Sequence, residues 1–192
     1  MNINIKIVEK HDSLINIIRD PIPCLVNFDW HPDYPRYVEE VIDIDHIAKQ
    51  VEIFGSFWYE QNWIATLASN GLVKEFTWIF PHDYDKEDTK VFESKSGDSI
   101  IFNKKFDPSL EIMCPYITLD MDFFGSKTPI KWIPEEGRME LFKKFLGTLK
   151  ANDITLIISK SEQWTNYDVD KFLQNILTEI LRKNNIEDIN FQ

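Results

Sequence analysis

The chain has 192 residues, of which 43% are hydrophobic and 14% aromatic, so a disordered chain is excluded and one domain over residues 1–192 is expected. Its formal net charge is -11, and an acidic surface repels phosphate backbones, so nucleic acid is a poor partner. No apolar run is long enough to span a bilayer and no cleavage-site pattern is visible, so we expect a cytoplasmic protein without a membrane partner.

Apolar runs rich in isoleucine, valine and phenylalanine alternate with segments of helical periodicity. The runs predict strands at 3–8, 24–28, 51–54, 76–80, 97–102, 116–121 and 154–159. The helical spacing predicts helices at 11–19, 57–67, 134–150 and 167–182, and a charged loop is expected at 83–89. This alternation favours an α/β fold with a mainly parallel sheet flanked by helices on both faces. Such sheets bind ligands at the carboxyl ends of their strands.

The two cysteines, Cys24 and Cys114, each stand at the start of an apolar run. That position favours buried free thiols over a disulfide or metal ligands.

The first acidic motif, "NFDWHPDYP", follows the predicted strand at 24–28. Asp29, His31 and Asp33 are spaced by two, and alternate side chains of an extended backbone point the same way. Pro32 and Pro35 bias the residues before them away from helix. Without a cation the two carboxylates would repel each other, whereas a divalent metal uses oxygen and imidazole ligands together. The alternative is a turn with solvated acids and a capping aspartate.

The second acidic motif, "YITLDMDFFGS", repeats this arrangement. Asp120 and Asp122 come at the end of a predicted strand, and Phe123 and Phe124 bracket them with apolar residues. Buried acids without a partner are rare because unpaired charge is costly to bury. Five candidate ligands exceed what one tetrahedral zinc ion takes, and oxygen-rich ligation suits manganese. The two motifs therefore predict a shared site for two manganese ions, which would activate water for hydrolysis.

The D-x-H-x-D and D-x-D motifs resemble those of the arginase/agmatinase superfamily, the ureohydrolases. Four segments resemble more closely a divergent branch that includes bacterial peptide arginases: "VEKHDSLI", "NFDWHPDYP", "NWIATLASNGLVKEFTWIFP" and "ITLDMDFF". They run in the order of that branch and span most of the first two-thirds of the chain. The resemblance implies a minimal arginase/deacetylase-like fold and a hydrolase that converts peptidyl arginine to ornithine and urea, as in peptide natural-product maturation.

The resemblance also implies individual roles. Asp29, His31, Asp33, Asp120 and Asp122 match its metal ligands, and a sixth ligand is His11, whose alternative role is a surface histidine at a helix start. His46, fifteen residues after His31, matches a proton-shuttling histidine but also fits an ordinary half-buried one. Glu162, after the predicted strand at 154–159, is the candidate for holding the guanidinium group, although no local motif supports it.

The chain also departs from a typical ureohydrolase. It is shorter, and the loops that recognise the carboxylate and amine of a free amino acid are not recognisable. An open site would admit an arginine-containing peptide, with or without a leader segment, and a degenerate site would admit another substrate. Two further alternatives are a single-metal zinc deacetylase or amidohydrolase of the same fold and a non-catalytic, metal-stabilised peptide-binding module.

Overall fold

A seven-stranded sheet organises the chain in the computed structural model, which describes residues 2–32, 49, 63–81, 89–92, 99–127 and 132–184. The strand order is β1-β7-β6-β2-β3-β5-β4, and only β4, paired with β5, runs antiparallel to its neighbour. The strands are β1 Asn2–Val8, β2 Ile22–Phe28, β3 Val73–Phe80, β4 Thr89–Phe92, β5 Ser99–Lys105, β6 Tyr116–Asp120 and β7 Asp153–Ser159.

Helices cover both faces of this sheet, which confirms the predicted fold class. They are α1 Leu14–Ile17, α2 Trp63–Ser69, α3 Glu135–Thr148 and α4 Val169–Asn184. Adjacent residues of β2 point to opposite faces: Leu25 lies in a core cluster with residues of α1 and α2, and Val26 in a second cluster with residues of α3 and α4. Burial on both faces explains why the central strands are continuous apolar runs in the sequence.

Several element boundaries differ from the sequence prediction. The first predicted helix is divided into a 3₁₀ turn, His11–Ser13, and the short helix α1. The edge strand β4 is not among the predicted strands, and its first residue, Thr89, lies in the predicted loop at 83–89. Strand β6 ends at Asp120, because Met121–Phe124 forms a 3₁₀ turn. The predicted strand at 51–54 and the start of the predicted helix at 57–67 lie outside the described residues.

The prediction of free cysteine thiols is wrong, because Cys24 and Cys114 form a disulfide with their Cα atoms 6.0 Å apart. Cys24 lies in β2 and Cys114 just precedes β6, and these strands are neighbours in the sheet. Both side chains are half-buried rather than part of the core. The 90 residues between them conceal this proximity in the sequence, since it arises only from the strand order.

Among the described helices, none combines the length and the apolar character that crossing a membrane requires.

Candidate metal centre

The two acidic motifs meet at the carboxyl edge of the sheet. Strands β7, β6 and β2 are adjacent and parallel, so the residues that follow them come together at one edge. The turn after β1 brings His11 to the same place. Among the described residues, two groups of side chains lie close enough together to hold a metal ion: His11, Asp29 and Asp120, and Asp29, His31 and Asp122.

The first group is buried and centred on an imidazole nitrogen. His11 Nδ1 lies 2.9 Å from Asp120 Oδ2 and 3.2 Å from Asp29 Oδ2. All three side chains are at most 5% exposed. The ring of Trp63 packs against the imidazole with its centroid 5.4 Å away. His11 is therefore part of the cluster and not a surface histidine.

The second group is where the cluster opens toward solvent. His31 Nδ1 lies 2.7 Å from Asp122 Oδ2, and the His31 side chain is 32% exposed whereas that of Asp122 is 1% exposed. The indole ring of Trp164, which is half-buried, meets the His31 ring edge-on with their centroids 5.7 Å apart. His31 and Trp164 thus mark the mouth of the site among the described residues.

Asp29 belongs to both groups, and the backbone around it is firmly held. Its N–H donates to Ile79 O (3.1 Å), and its carbonyl accepts from Trp78 Nε1 (3.0 Å). The N–H of His31 donates to Asp29 Oδ1 (2.8 Å), which closes the turn that brings both side chains to one side. Asp29 and His31 therefore converge as predicted, but through a turn and not through the predicted extended backbone.

Asp120 and Asp122 reach the cluster by a different route from the predicted extended backbone. Asp120 caps the 3₁₀ turn that follows β6, and its Oδ1 accepts from the N–H of Asp122 at 2.9 Å. Asp122 Oδ1 in turn accepts from the N–H of Trp30 at 3.1 Å, which ties the two motifs together. The Tyr167 hydroxyl donates to Met121 O and holds the turn from the other side.

The acids and imidazoles strongly perturb one another. Burial raises the pKa of Asp122 well above 3.8, and the neighbouring Asp120 and Asp29 carboxylates raise it further. Burial also opposes the charge on Asp29, but His11 and His31 outweigh it and lower that pKa to about 2. Burial lowers the pKa of His11, yet Asp120 and Asp29 together raise it well above 6.5. His11 and Asp122 thus hold their protons more tightly than they would in water, and a cation could replace those protons.

The donor chemistry of the site fits divalent metal ions. Asp29, Asp120 and Asp122 are 1–3% exposed, so the alternative of a turn with solvated acids is wrong for these residues. Three carboxylates with two imidazoles form an oxygen-rich set, which suits a hard ion such as manganese better than copper. These groups could hold a metal ion, and Asp29 belongs to both of them.

Sequence reasoning missed the hydrogen-bond donors behind the carboxylates. Asn27 Nδ2 donates to Asp29 Oδ2 (3.1 Å), and Asn27 Oδ1 accepts from Thr118 Oγ1 (2.7 Å). Ser161 Oγ donates to Asp120 Oδ2 (2.8 Å). Each donor lies near the carboxyl end of a strand, at the edge of the sheet that carries the cluster. A polar residue within or just after an apolar run is the sequence signal that could have identified each of them.

The remaining predicted residues are placed less completely. Asp33 and His46 lie outside the described residues, so their roles stay predictions. Glu162 lies in the turn after β7, at the same edge as the cluster, and is exposed. It lines a polar surface groove together with Lys127, Tyr167 and the start of α4. The structure therefore places Glu162 near the edge that carries the site, and its guanidinium-holding role stays a prediction.

No protein-family model matches this chain, and no curated protein matches it. The resemblance to the ureohydrolases therefore stays a prediction from the sequence motifs.

Proposed function

We propose that the chain is a manganese-dependent hydrolase that converts a peptidyl arginine to ornithine and urea. The observation that carries this proposal is the pair of donor groups that share the buried Asp29. A two-ion site of this kind suits hydrolysis of a poorly reactive carbon, since bound divalent ions lower the pKa of water and polarise the group under attack.

The proposed reaction balances without a further reactant. Water adds to the guanidinium carbon, the bond from that carbon to the side-chain nitrogen breaks, and the nitrogen takes a proton and leaves as the ornithine amine. The buried carboxylates Asp29, Asp120 and Asp122 would hold the ions, and their burial would reduce the screening of the ions' charge by solvent. His46 is the proposed carrier of the proton to the departing amine, and Glu162 the proposed partner of the guanidinium.

The residues at the mouth of the site favour a substrate whose arginine side chain enters from solvent. His31 is the more exposed of the two imidazoles, and Trp164 presents an aromatic ring beside it. A guanidinium group stacks well on an aromatic face, and an exposed carboxylate such as Glu162 adds charge complementarity. A peptide that extends its arginine into this mouth leaves its own backbone outside, so recognition of a leader segment would occur on the surrounding surface.

The single-zinc alternative is tested by metal content. Tetrahedral zinc in a catalytic site takes three protein ligands, and one such group would leave the other imidazole and carboxylate in the cluster without a metal. Elemental analysis of purified protein should find two manganese ions per chain. One zinc ion per chain would favour the deacetylase class.

The activity test uses an arginine-containing peptide and the manganese-loaded protein. Mass spectrometry should detect conversion of arginine to ornithine, and the urea oxygen should be labelled when the reaction runs in heavy-oxygen water. A peptide with lysine in place of arginine is the substrate control, and the Asp122→Asn variant is the enzyme control. If the protein binds two ions but converts neither free nor peptidyl arginine, the proposed substrate is wrong and the proposed metal centre still stands. Unaltered partner binding by Asp122→Asn would then favour the binding module.

We also propose the cytoplasm as the compartment. The Cys24–Cys114 disulfide weighs against this, because structural disulfides are rare in reducing compartments. Thiol labelling of the protein in intact cells separates the two outcomes: oxidised cysteines would point to an oxidising compartment.

A further inference from the structure

We propose that Ser161 is a positioning residue for the metal centre, and that its hydroxyl fixes the Asp120 carboxylate in the orientation that binds metal. This inference rests on the proposed metal centre. Ser161 follows β7 and is 1% exposed, and its Oγ donates to Asp120 Oδ2 at 2.8 Å. Asp120 Oδ2 is also the oxygen that faces His11 Nδ1 at 2.9 Å. The hydroxyl therefore acts on an atom of the first donor group.

The Ser161 hydroxyl also forms a hydrogen bond with a second hydroxyl, that of Ser159. Ser159 Oγ lies 2.8 Å from Ser161 Oγ, and Ser159 is also buried. A hydroxyl has one proton, and Ser161 uses it on Asp120, so Ser159 must be the donor in the contact between the two serines. The resulting chain runs from Ser159 through Ser161 to the carboxylate. Successive donors in such a chain polarise one another and strengthen the final bond.

The two oxygens of Asp120 are held from different directions. Its Oδ1 accepts from the N–H of Asp122 at 2.9 Å, and its Oδ2 accepts from Ser161. With both oxygens engaged, rotation of the carboxylate about its last bond is restricted. Oriented ligands of this kind need less ordering when a metal binds, and outer partners are typically worth about 10- to 100-fold in metal affinity.

The backbone of Ser161 allows the role of its hydroxyl to be separated from a role in the turn. Its φ is 43°, in the left-handed region where glycine is favoured over other residues. The turn is closed by backbone groups: Ser161 N–H donates to Glu9 O at 3.0 Å, and Ser161 O accepts from Trp164 N–H at 2.9 Å. Glycine would keep these bonds and relieve the strain. A residue needed only for the turn would therefore be replaced by glycine without loss.

The experiment measures manganese affinity by calorimetry on metal-stripped protein, together with the melting temperature of the same protein in chelator. The variants are Ser161→Gly and Ser161→Ala. The control is Ser99→Ala, because Ser99 is equally buried and its hydroxyl lies within hydrogen-bond distance of Ala68 O (3.1 Å) and Val73 O (2.7 Å), away from the cluster. Ser161→Gly should bind manganese about 10- to 100-fold more weakly while its chelated melting temperature is at least that of Ser161→Ala.

The outcomes distinguish this inference from the proposed function. Weak binding by both Ser161 variants with unaltered binding by Ser99→Ala supports the positioning role. Wild-type affinity in Ser161→Gly overturns the role while the metal centre stands. Equal weakening in Ser99→Ala also overturns it, because the effect would then reflect a general loss of buried hydrogen bonds. Absence of manganese binding by the wild-type protein overturns the metal centre and the positioning role together.

Discussion

The Asp29→Asn substitution should abolish the rise in melting temperature that manganese produces in the wild-type protein. Asp29 contributes to both donor groups, whereas His11 and Asp120 contribute only to the first, and Asp122 only to the second, among the described residues. Asn keeps the size and one oxygen of the side chain but removes its charge. We therefore expect Asp29→Asn to weaken both ion sites and Asp122→Asn to weaken one.

The size of the manganese effect follows from ligand linkage and chain length. An ion at about 100 times its Kd stabilises the folded state by about 2.7 kcal/mol, so two ions whose contributions add give about 5.4 kcal/mol. For 192 residues the entropy of unfolding is about 400 cal/mol/K, so the wild-type melting temperature should rise by about 13 °C. Asp122→Asn should show about half this rise, and Asp29→Asn a rise near zero.

Differential scanning fluorimetry, first in chelator and then in excess manganese, measures these shifts. Each variant is compared with its own chelated form, because removing a buried carboxylate also changes the stability of the metal-free protein. The control is Asp20→Asn, which removes an exposed carboxylate next to the amino-terminal end of β2, far from the carboxyl edge. A wild-type melting temperature that is indifferent to manganese, or a full rise in Asp29→Asn, would refute the shared-carboxylate reasoning.

Three further predictions concern pH, the mouth of the site and the disulfide. In chelator the protein should lose stability as the pH rises, above 3.8 through Asp122 and above 6.5 through His11, because each group in the folded protein keeps a proton that the unfolded chain releases. Melting at a series of pH values tests this, and a flat profile contradicts it. Trp164→Ala should raise KM for an arginine peptide about two- to fivefold without altering the manganese affinity, because an exposed cation–π contact contributes ~0.5–1 kcal/mol. Steady-state kinetics with Trp164→Phe as the control measures this, and an unchanged KM excludes the contact. Replacing Cys24 and Cys114 by serine should lower the free energy of unfolding by about 4–5 kcal/mol, since the bond closes a loop of 90 residues; denaturant unfolding measures it, and two free thiols in the unreduced wild-type protein would refute the premise.

The fold class was predictable because its central strands are buried on both faces. Strands β2, β6 and β7 are short apolar runs bounded by polar residues or proline, and such runs stand out in a sequence. The edge strand β4 was not predictable in the same way: Thr89–Phe92 is four residues long and is paired on one side only. The strand order was also inaccessible, because it depends on crossovers between segments distant in sequence.

The same distinction applies to the candidate site. Asp29, His31, Asp120 and Asp122 were predicted because each lies in a local pattern whose charges are costly to bury. His11 followed from its position after the first strand together with the family resemblance. The disulfide and the bond from Ser161 to Asp120 each join segments tens of residues apart. They depend on β6 lying between β7 and β2, which no local pattern encodes.

The charge balance of the cluster supports a metal centre independently of any family resemblance. Three carboxylates are 1–3% exposed, and their ion pairs are with His11 and His31. Among the described residues, two protonated imidazoles would balance two of the three charges, and burial beside Asp120 and Asp29 raises the pKa of Asp122 well above its usual value, which favours a proton on that carboxylate. A protonated acid at this position would leave unused the negative charge that the neighbouring hydrogen-bond donors could stabilise. A divalent ion bound there would replace those protons and compensate the charge of the carboxylates, so we expect metal binding to stabilise the cluster.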